Sequence, residues 1–343
     1  ALTSGKGYQW QVRVWDQDGT VSAWSLPAVF RLCLLDSNDW KASWIESSRP
    51  EDRDYRGAQY FRRSFRTAKP VRSAWLYITA HGMYEAQLNG KRVGDAYLSP
   101  GWTSYNKRLP YQVYDVKDEL LKGDNALGVV VGNGWYRGFL AWGDNKDIYG
   151  KQLGVLCQLS ITYADGSTEQ VASDGKWLSS DGAIRFCEIY HGETVDARED
   201  KKGWSSPLYS TAGWVPVKAV GHSLGNLVAG ENEPVRKHET FRPVKIFSTP
   251  KGEQVIDFGQ NLVGWVKIKA SGNSGDSIVI RHAEVLDKSG NFYTENLRAA
   301  RATATYILRG GGVEEFEPHF TFYGFRYIQL VNYPGSLKPE QVE

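Results

Sequence analysis

Apolar and polar positions alternate with a period of two along most of the chain, a pattern that predicts strands rather than helices. In "YQWQVRVWDQDGTVSAWS" (8 to 25), Tyr8, Trp10, Val12 and Val14 share one face, and "DQDG" then turns the chain into a second short run. This predicts a β-hairpin closed by an Asp-Gly turn. From Trp44 onward the same rhythm recurs in "SAWLYITA" (73 to 80), "YEAQLNGKRVG" (84 to 94) with its Asn-Gly turn, "LGVVVGNGWY" (127 to 136), "LGVLCQLSITYADGS" (153 to 167) and "SDGAIRFCEIY" (180 to 190). Only "YDVKDELLKGDN" reads as a helix, with Asp115 as N-cap and Gly123 just past its end.

The pattern breaks at "NEPVRKHETFRPVK" (232 to 245), where two prolines flank a polar, basic run. Strands resume with "EQVIDFGQNLVGWVKIKASG", "DSIVIRHAEVL", "ATATYILRGGG" and "FRYIQLVNY". The expected architecture is therefore all-β, with tandem jelly-roll-like β-sandwich domains over 44–235 and 236–343. A lone hairpin is marginal in water, so residues 1–33 are expected to be the C-terminal strands of a fibronectin/Ig-like domain. The link from Pro234 to Pro243 is too short for a flexible tether, so the two sandwiches should pack on each other.

At 343 residues the chain is long enough for two or three domains. Its net charge of +2, carried by dispersed basic residues, gives no electrostatic footprint for nucleic acid. Thirteen Trp and nineteen Tyr beside a single Met suit aromatic sandwich cores, and equally surfaces that stack on sugar rings. Cys33, Cys157 and Cys187 are odd in number and widely spaced, which argues against a disulfide framework or a zinc knuckle. Cys157 reads as a buried small hydrophobe in a strand. There is no run of eighteen apolar residues and no apolar stretch near the start, so neither a membrane span nor a signal peptide is expected, and the compartment stays open.

"HGETVDARED" (191 to 200) gathers His191, Glu193, Asp196, Glu199 and Asp200 around Arg198. Glu193 and Asp196 form the candidate carboxylate pair, because glycoside hydrolysis needs two carboxyl groups straddling the scissile bond. Arg198, however, stands ready to hold one of them ionised, which suits an anchor better than a proton donor. "GNGWYRG" (132 to 138) lacks the Gly-Lys-Ser/Thr of a phosphate loop and reads as a strand-end turn. Beyond it, Trp135, Tyr136, Arg137, Trp142, Asp144 and Asn145 could line a sugar platform, with Trp102 as a further aromatic to map. The six histidines show no metal-ligand spacing. In "RHAEVLDKSGNFYTENL", His282 and Glu284 share a strand face, as a satisfied cross-strand pair or as a polar rim.

At these residues the chain resembles a known family. "YFRRSFRT", "YEAQLNGKRVG", "LSPGWTSYNKRLPYQVYDV", "GNGWYRG" and "GETVDAR" are similar to the N-terminal β-sandwich of bacterial α-L-rhamnosidases of the glycoside hydrolase family 78 type. "VIDFGQNLVGWVKIK", "RHAEVLDKSGNFYTENLRAARATATYILRGGG" and "FEPHFTFYGFRYIQL" resemble the concanavalin-like sandwich that follows it, and "VRVWDQDGTVSAWS" the end of a preceding fibronectin-like domain. The resemblance implies that chemistry resides in a downstream (α/α)6 barrel, whose D-C-P-Q-R-D-E-R motif is not found in these residues, so no catalytic residue is carried over. Some relatives bind rhamnose through calcium near the "LSPGW" position; Ser99 and Pro100 are poor ligands for a hard cation, and no cofactor is expected. The expectation is an ancillary region that supports the barrel and contacts rhamnose-containing carbohydrate. A dedicated carbohydrate-binding module and a self-sufficient glycosidase using Glu193 and Asp196 are the alternatives.

Overall fold

The computed structural model describes residues 2–51, 56–140 and 145–343. The all-β reading is borne out: among the described residues strands dominate, and helix is limited to single turns. The Asp-Gly hairpin forms as expected. Gly7–Trp10 pairs with Ala28–Arg31, and the turn closes through Gly19 N–H donating to the Asp16 carbonyl at 3.1 Å. Gly19 has φ +76°, which glycine adopts without a Cβ penalty.

The first sandwich has two layers. Leu109–Asp115, Val71–His81, Gly154–Tyr163 and Trp44–Ser47 are neighbours in one; Leu178–Ser180, Gln59–Thr67, Gly123–Gly132 and Met83–Leu88 are neighbours in the other. Val215–Val220 pairs with both Trp44–Ser47 and Leu178–Ser180, so one curled sheet supplies both layers. Alternate residues fill the space between them, among them Phe61, Leu76, Ile78, Val129 and Cys157, all fully or almost fully buried. The Asn89-Gly90 turn reverses the chain with positive φ at both residues, as a two-residue hairpin requires.

The second sandwich is built on a seven-stranded sheet, in the order Ile184–Glu188, Gly192–Asp196, Thr303–Ile307, Ser277–Ala283, Tyr323–Val331, Gln254–Gly264 and Lys245–Ser248. The two strands at its edge come from the chain before the Pro-marked link, and Gly192–Asp196 runs parallel to Thr303–Ile307. A single apolar cluster crosses the seam: Tyr60, Met83, Val130 and Trp204 pack with Ile256, Ile280, Phe320 and Phe325. Gly132 makes the close approach possible, because a Cβ there would lie 2.6 Å from Cγ of Phe320.

One element departs from the sequence reading. "YDVKDELLKGDN" is not a helix. Its first residues finish the strand Leu109–Asp115, only Lys117–Glu119 makes a 3-10 turn, and the next strand begins at Gly123. Pairing of Trp75 with Asp115 and Ile78 with Gln112 supplies backbone partners that outweigh local helix preference. The residue at the N-cap of that turn is Val116, not Asp115, whose carboxylate accepts the Lys117 N–H at 3.1 Å from one position earlier.

Two outcomes are expected from this seam. Near-UV and far-UV signals should report one coincident unfolding transition, since one apolar cluster joins the two sandwiches. Gly132→Ala should lower stability by about 1–3 kcal/mol in urea titrations, because the Phe320 ring it would strike is buried in the seam cluster.

Candidate functional site

The strand Gly192–Asp196 presents residues three apart to opposite faces, and this separates the candidate carboxylates. Glu193 points into the seam, where it is 1 % exposed. Its oxygens accept the backbone N–H groups of His319 at 3.0 Å and Phe320 at 2.9 Å. Burial pushes its pKa up to about 7, against the lowering influence of His319 and these two N–H groups. The His319 ring bonds Glu85 at 3.2 Å, and Glu85 pairs with Arg92 at 2.8 Å. Although burial opposes its charge, the carboxylates around His319 lift its pKa to about 9.

Asp196 has a different role. Arg198 grips it with two bonds, Nε at 2.8 Å and Nη2 at 2.7 Å, and the same carboxylate caps the turn Ala197–Glu199 through Arg198 N–H. That grip holds its carboxyl below the usual range. One acid is therefore locked to backbone inside the seam and the other to a guanidinium, so the pair does not face a common cleft in which a water and a glycosidic bond could sit.

"GNGWYRG" follows the strand Gly123–Gly132 and closes one helical turn, Gly134–Arg137. That turn disperses the proposed platform. Arg137 is wholly buried: its guanidinium forks onto Glu51 at 2.8 and 2.5 Å, donates to Asn133 Oδ1 at 2.6 Å and reaches the Lys151 carbonyl at 3.1 Å. Asn133 in turn donates to buried Glu188 at 2.8 Å, which also accepts the Phe139 N–H. Tyr136 is buried too, its ring parallel to His81 at 4.7 Å, while His81 stacks on Trp44 at 3.9 Å. Asn145 is exposed, and its carbonyl accepts the Leu140 N–H. Trp142 and Asp144 lie outside the described residues.

Trp135 is half-buried, and Trp102 lies parallel to it at 6.2 Å with 58 % of its own surface exposed. Trp102 Nε1 donates to the Tyr149 hydroxyl at 3.3 Å. Close to Tyr149 opens a cleft of about 420 Å³ lined by Tyr105, Tyr136, Lys151, His81, His222 and Asn226. Two buried polar atoms in its lining, His81 Nδ1 and Asn226 Oδ1, have no hydrogen-bond partner. His222 is bonded to Glu46 at 2.8 Å. These residues stand at 81, 105, 149, 222 and 226, and no local pattern connects them; only the sheet brings them together.

Elsewhere the structural readings suffice. His282 is buried, bonds the Ala302 carbonyl through Nδ1 and stacks on Tyr323, while Glu284 accepts the Asn296 amide. Asp287 closes its own turn onto Ser289 and Asn291. At the "LSPGW" position the Ser99 carbonyl accepts the Tyr84 N–H at 2.8 Å.

Three family models match the chain. Residues 69–239 match the α-L-rhamnosidase N-terminal domain, 247–343 the bacterial α-L-rhamnosidase concanavalin-like domain, and 1–36 a Rha78A-like N-terminal immunoglobulin domain. An α-L-rhamnosidase of Streptomyces avermitilis is 43% identical over 81% of this chain and 27% of its own length. One from Alteromonas sp. (strain LOR) is 38% identical over 98% of this chain and 38% of its own. The chain thus spans well under half of these curated relatives. The crystal structure of native α-L-rhamnosidase from Aspergillus terreus superposes with a TM-score of 0.95 at 41% identity, covering 99% of this chain and 40% of that one. The Streptomyces avermitilis enzyme complexed with L-rhamnose gives 0.91 at 28% identity, covering 99% and 49%.

The electrostatics yield two expected outcomes. Folding raises the Glu193 pKa from 4.5 to about 7, so the folded chain holds a proton that the unfolded chain releases. Stability should therefore fall as pH rises across that window, and Glu193→Gln should flatten the fall in denaturation midpoints measured from about pH 5 to 7. Arg137→Leu should cost about 3–5 kcal/mol in the same titrations, because it strands Glu51 and withdraws a cation from buried Glu188.

Proposed function

We propose, from the premise that the chain belongs to the α-L-rhamnosidase family, that it is the ancillary β-sandwich region of such an enzyme, bracing a catalytic barrel and contacting rhamnose-containing carbohydrate. The observation that carries the carbohydrate reading is the exposed Trp102 ring stacked over Trp135 close to a cleft with a polar lining. A pyranose offers an apolar C–H face that an indole covers and hydroxyls that both donate and accept. The exposed side chains of Asn106, Lys151 and Gln152 in the cleft lining are suited to meet those hydroxyls.

The bracing role draws support from the seam. A support must be stiff, and here one apolar cluster, a strand shared across the seam and the Glu193 anchor all join the sandwiches. A self-sufficient glycosidase is disfavoured by the placement of Glu193 and Asp196. A buried carboxyl with a pKa of about 7 has the proton an acid needs, but its oxygens already serve backbone N–H groups. A dedicated carbohydrate-binding module would use the same Trp102 face, so it differs from the main reading in what the parent protein does with the sugar.

Titration calorimetry with L-rhamnose tests the contact. Binding is expected in the millimolar range, and Trp102→Ala should weaken it about five- to tenfold, the equivalent of one aromatic contact of roughly 1 kcal/mol. An affinity indifferent to Trp102→Ala places the platform elsewhere. The chain is also expected to leave an aryl α-L-rhamnoside intact; turnover abolished by Glu193→Gln overturns the ancillary reading.

A further inference from the structure

The second sandwich contains a built groove that the reading above does not use. In the strand Gln254–Gly264, pairing to Tyr323–Val331 holds at Asp257 with Tyr327 and resumes only at Leu262 with Phe325. Four residues, Phe258 to Asn261, thus stand opposite Arg326 alone. Phe258 stays in the core against Phe325, while Gly259, Gln260 and Asn261 are expelled to the surface. Bulges of this kind commonly re-aim side chains beside a binding site.

The expelled segment is fixed in place. Asp257 is clamped by Arg326 through two bonds of 2.9 Å and accepts the Gly259 N–H at 2.7 Å. Gly259 sits at φ +84°, and a Cβ there would meet Val244 at 2.9 Å, so the turn suits glycine alone. The loop forms one wall of a groove of about 490 Å³, and the link segment with Phe241 lines it as well. Trp265 also lines it; its Nε1–H donates to Glu317 at 3.3 Å, and Lys237 holds the same carboxylate at 2.6 Å.

The chemistry of this lining selects a ligand class. Its cations are already engaged, Arg236 by Asp95 and Glu233, Lys237 by Glu317, and Lys267 by Glu315 and Glu343, which leaves little field for an anion. What remains is an indole that Tyr97 meets at 5.1 Å and Lys237 overlies at 5.6 Å, a half-buried phenyl ring, and two exposed amides, of which Asn261 donates to Glu284 at a long 3.5 Å; these groups stack, donate and accept. The volume lies within the range of small-molecule sites. We propose that this groove is a second saccharide site, taking a neutral mono- or disaccharide with its C–H face on Trp265 and its hydroxyls on Gln260 and Asn261. It is separate from the Trp102 face and does not depend on it.

The indole N–H resonances of the folded chain test this, with Trp265 assigned through Trp265→Phe and a rhamnosyl-glucose disaccharide as the titrant. The Trp265 signal should shift saturably at millimolar sugar, in Trp102→Ala as in the unaltered chain. Gln260→Ala combined with Asn261→Ala should weaken that response at least tenfold with no change in the unfolding midpoint. A Trp265 signal that never shifts, or shifts identically in the double variant, overturns the proposal. Shifts confined to Trp102 overturn it while leaving the first site standing.

Discussion

The two sandwiches are held in one register by a strand that crosses between them. Gly192–Asp196 leaves the first half of the chain and lies parallel to Thr303–Ile307 inside the sheet of the second. Glu193 then anchors the chain at His319 and Phe320, whose N–H groups have no strand partner there. A buried N–H without an acceptor costs about 1–3 kcal/mol, so one carboxylate settles two such deficits and fixes where the Phe320 ring enters the seam. Gly132 leaves the space for that ring, and the shared core closes around it.

Buried charge follows the same logic beside the first sandwich. Arg137, Glu51, Asn133 and Glu188 form a network whose members are paired with one another or with backbone. Such a network adds little net stability over apolar packing, yet breaking any member leaves a charge without a counterpart. Its effect is positional. It holds the short turn that carries Trp135 and Tyr136, so that one ring lies under Trp102 and the other borders the nearby cleft.

Much of the architecture was legible in the alternation of residues, because a strand with one buried face writes its period directly into the sequence. Asn89-Gly90 and Asp16 to Gly19 were legible for a similar reason, since few residues tolerate those backbone angles. The stretch around Lys117 was not, because local helix preference there is overruled by pairing with Val71–His81, which lies some forty residues away. At the candidate site the aromatic content was legible and the burial was not. Arg137 and Tyr136 read as exposed contacts beside Trp135, yet the helical turn carries both inward. The cleft residues share no neighbourhood in the chain, so their grouping exists only once the sheet curls.

The crossing strand also sets a schedule. A ribosome delivers Gly192–Asp196 roughly a hundred residues before Thr303–Ile307. At about 5–20 residues per second the waiting time is on the order of ten seconds. Throughout that interval the hairpin formed by Ile184–Glu188 and Gly192–Asp196 leaves unpaired the edge that Thr303–Ile307 will cover, and its apolar face is unclosed. That hairpin therefore cannot finish folding as its own residues emerge; it becomes complete only when the rest of its sheet has been translated, and the nascent chain carries a sticky edge until then.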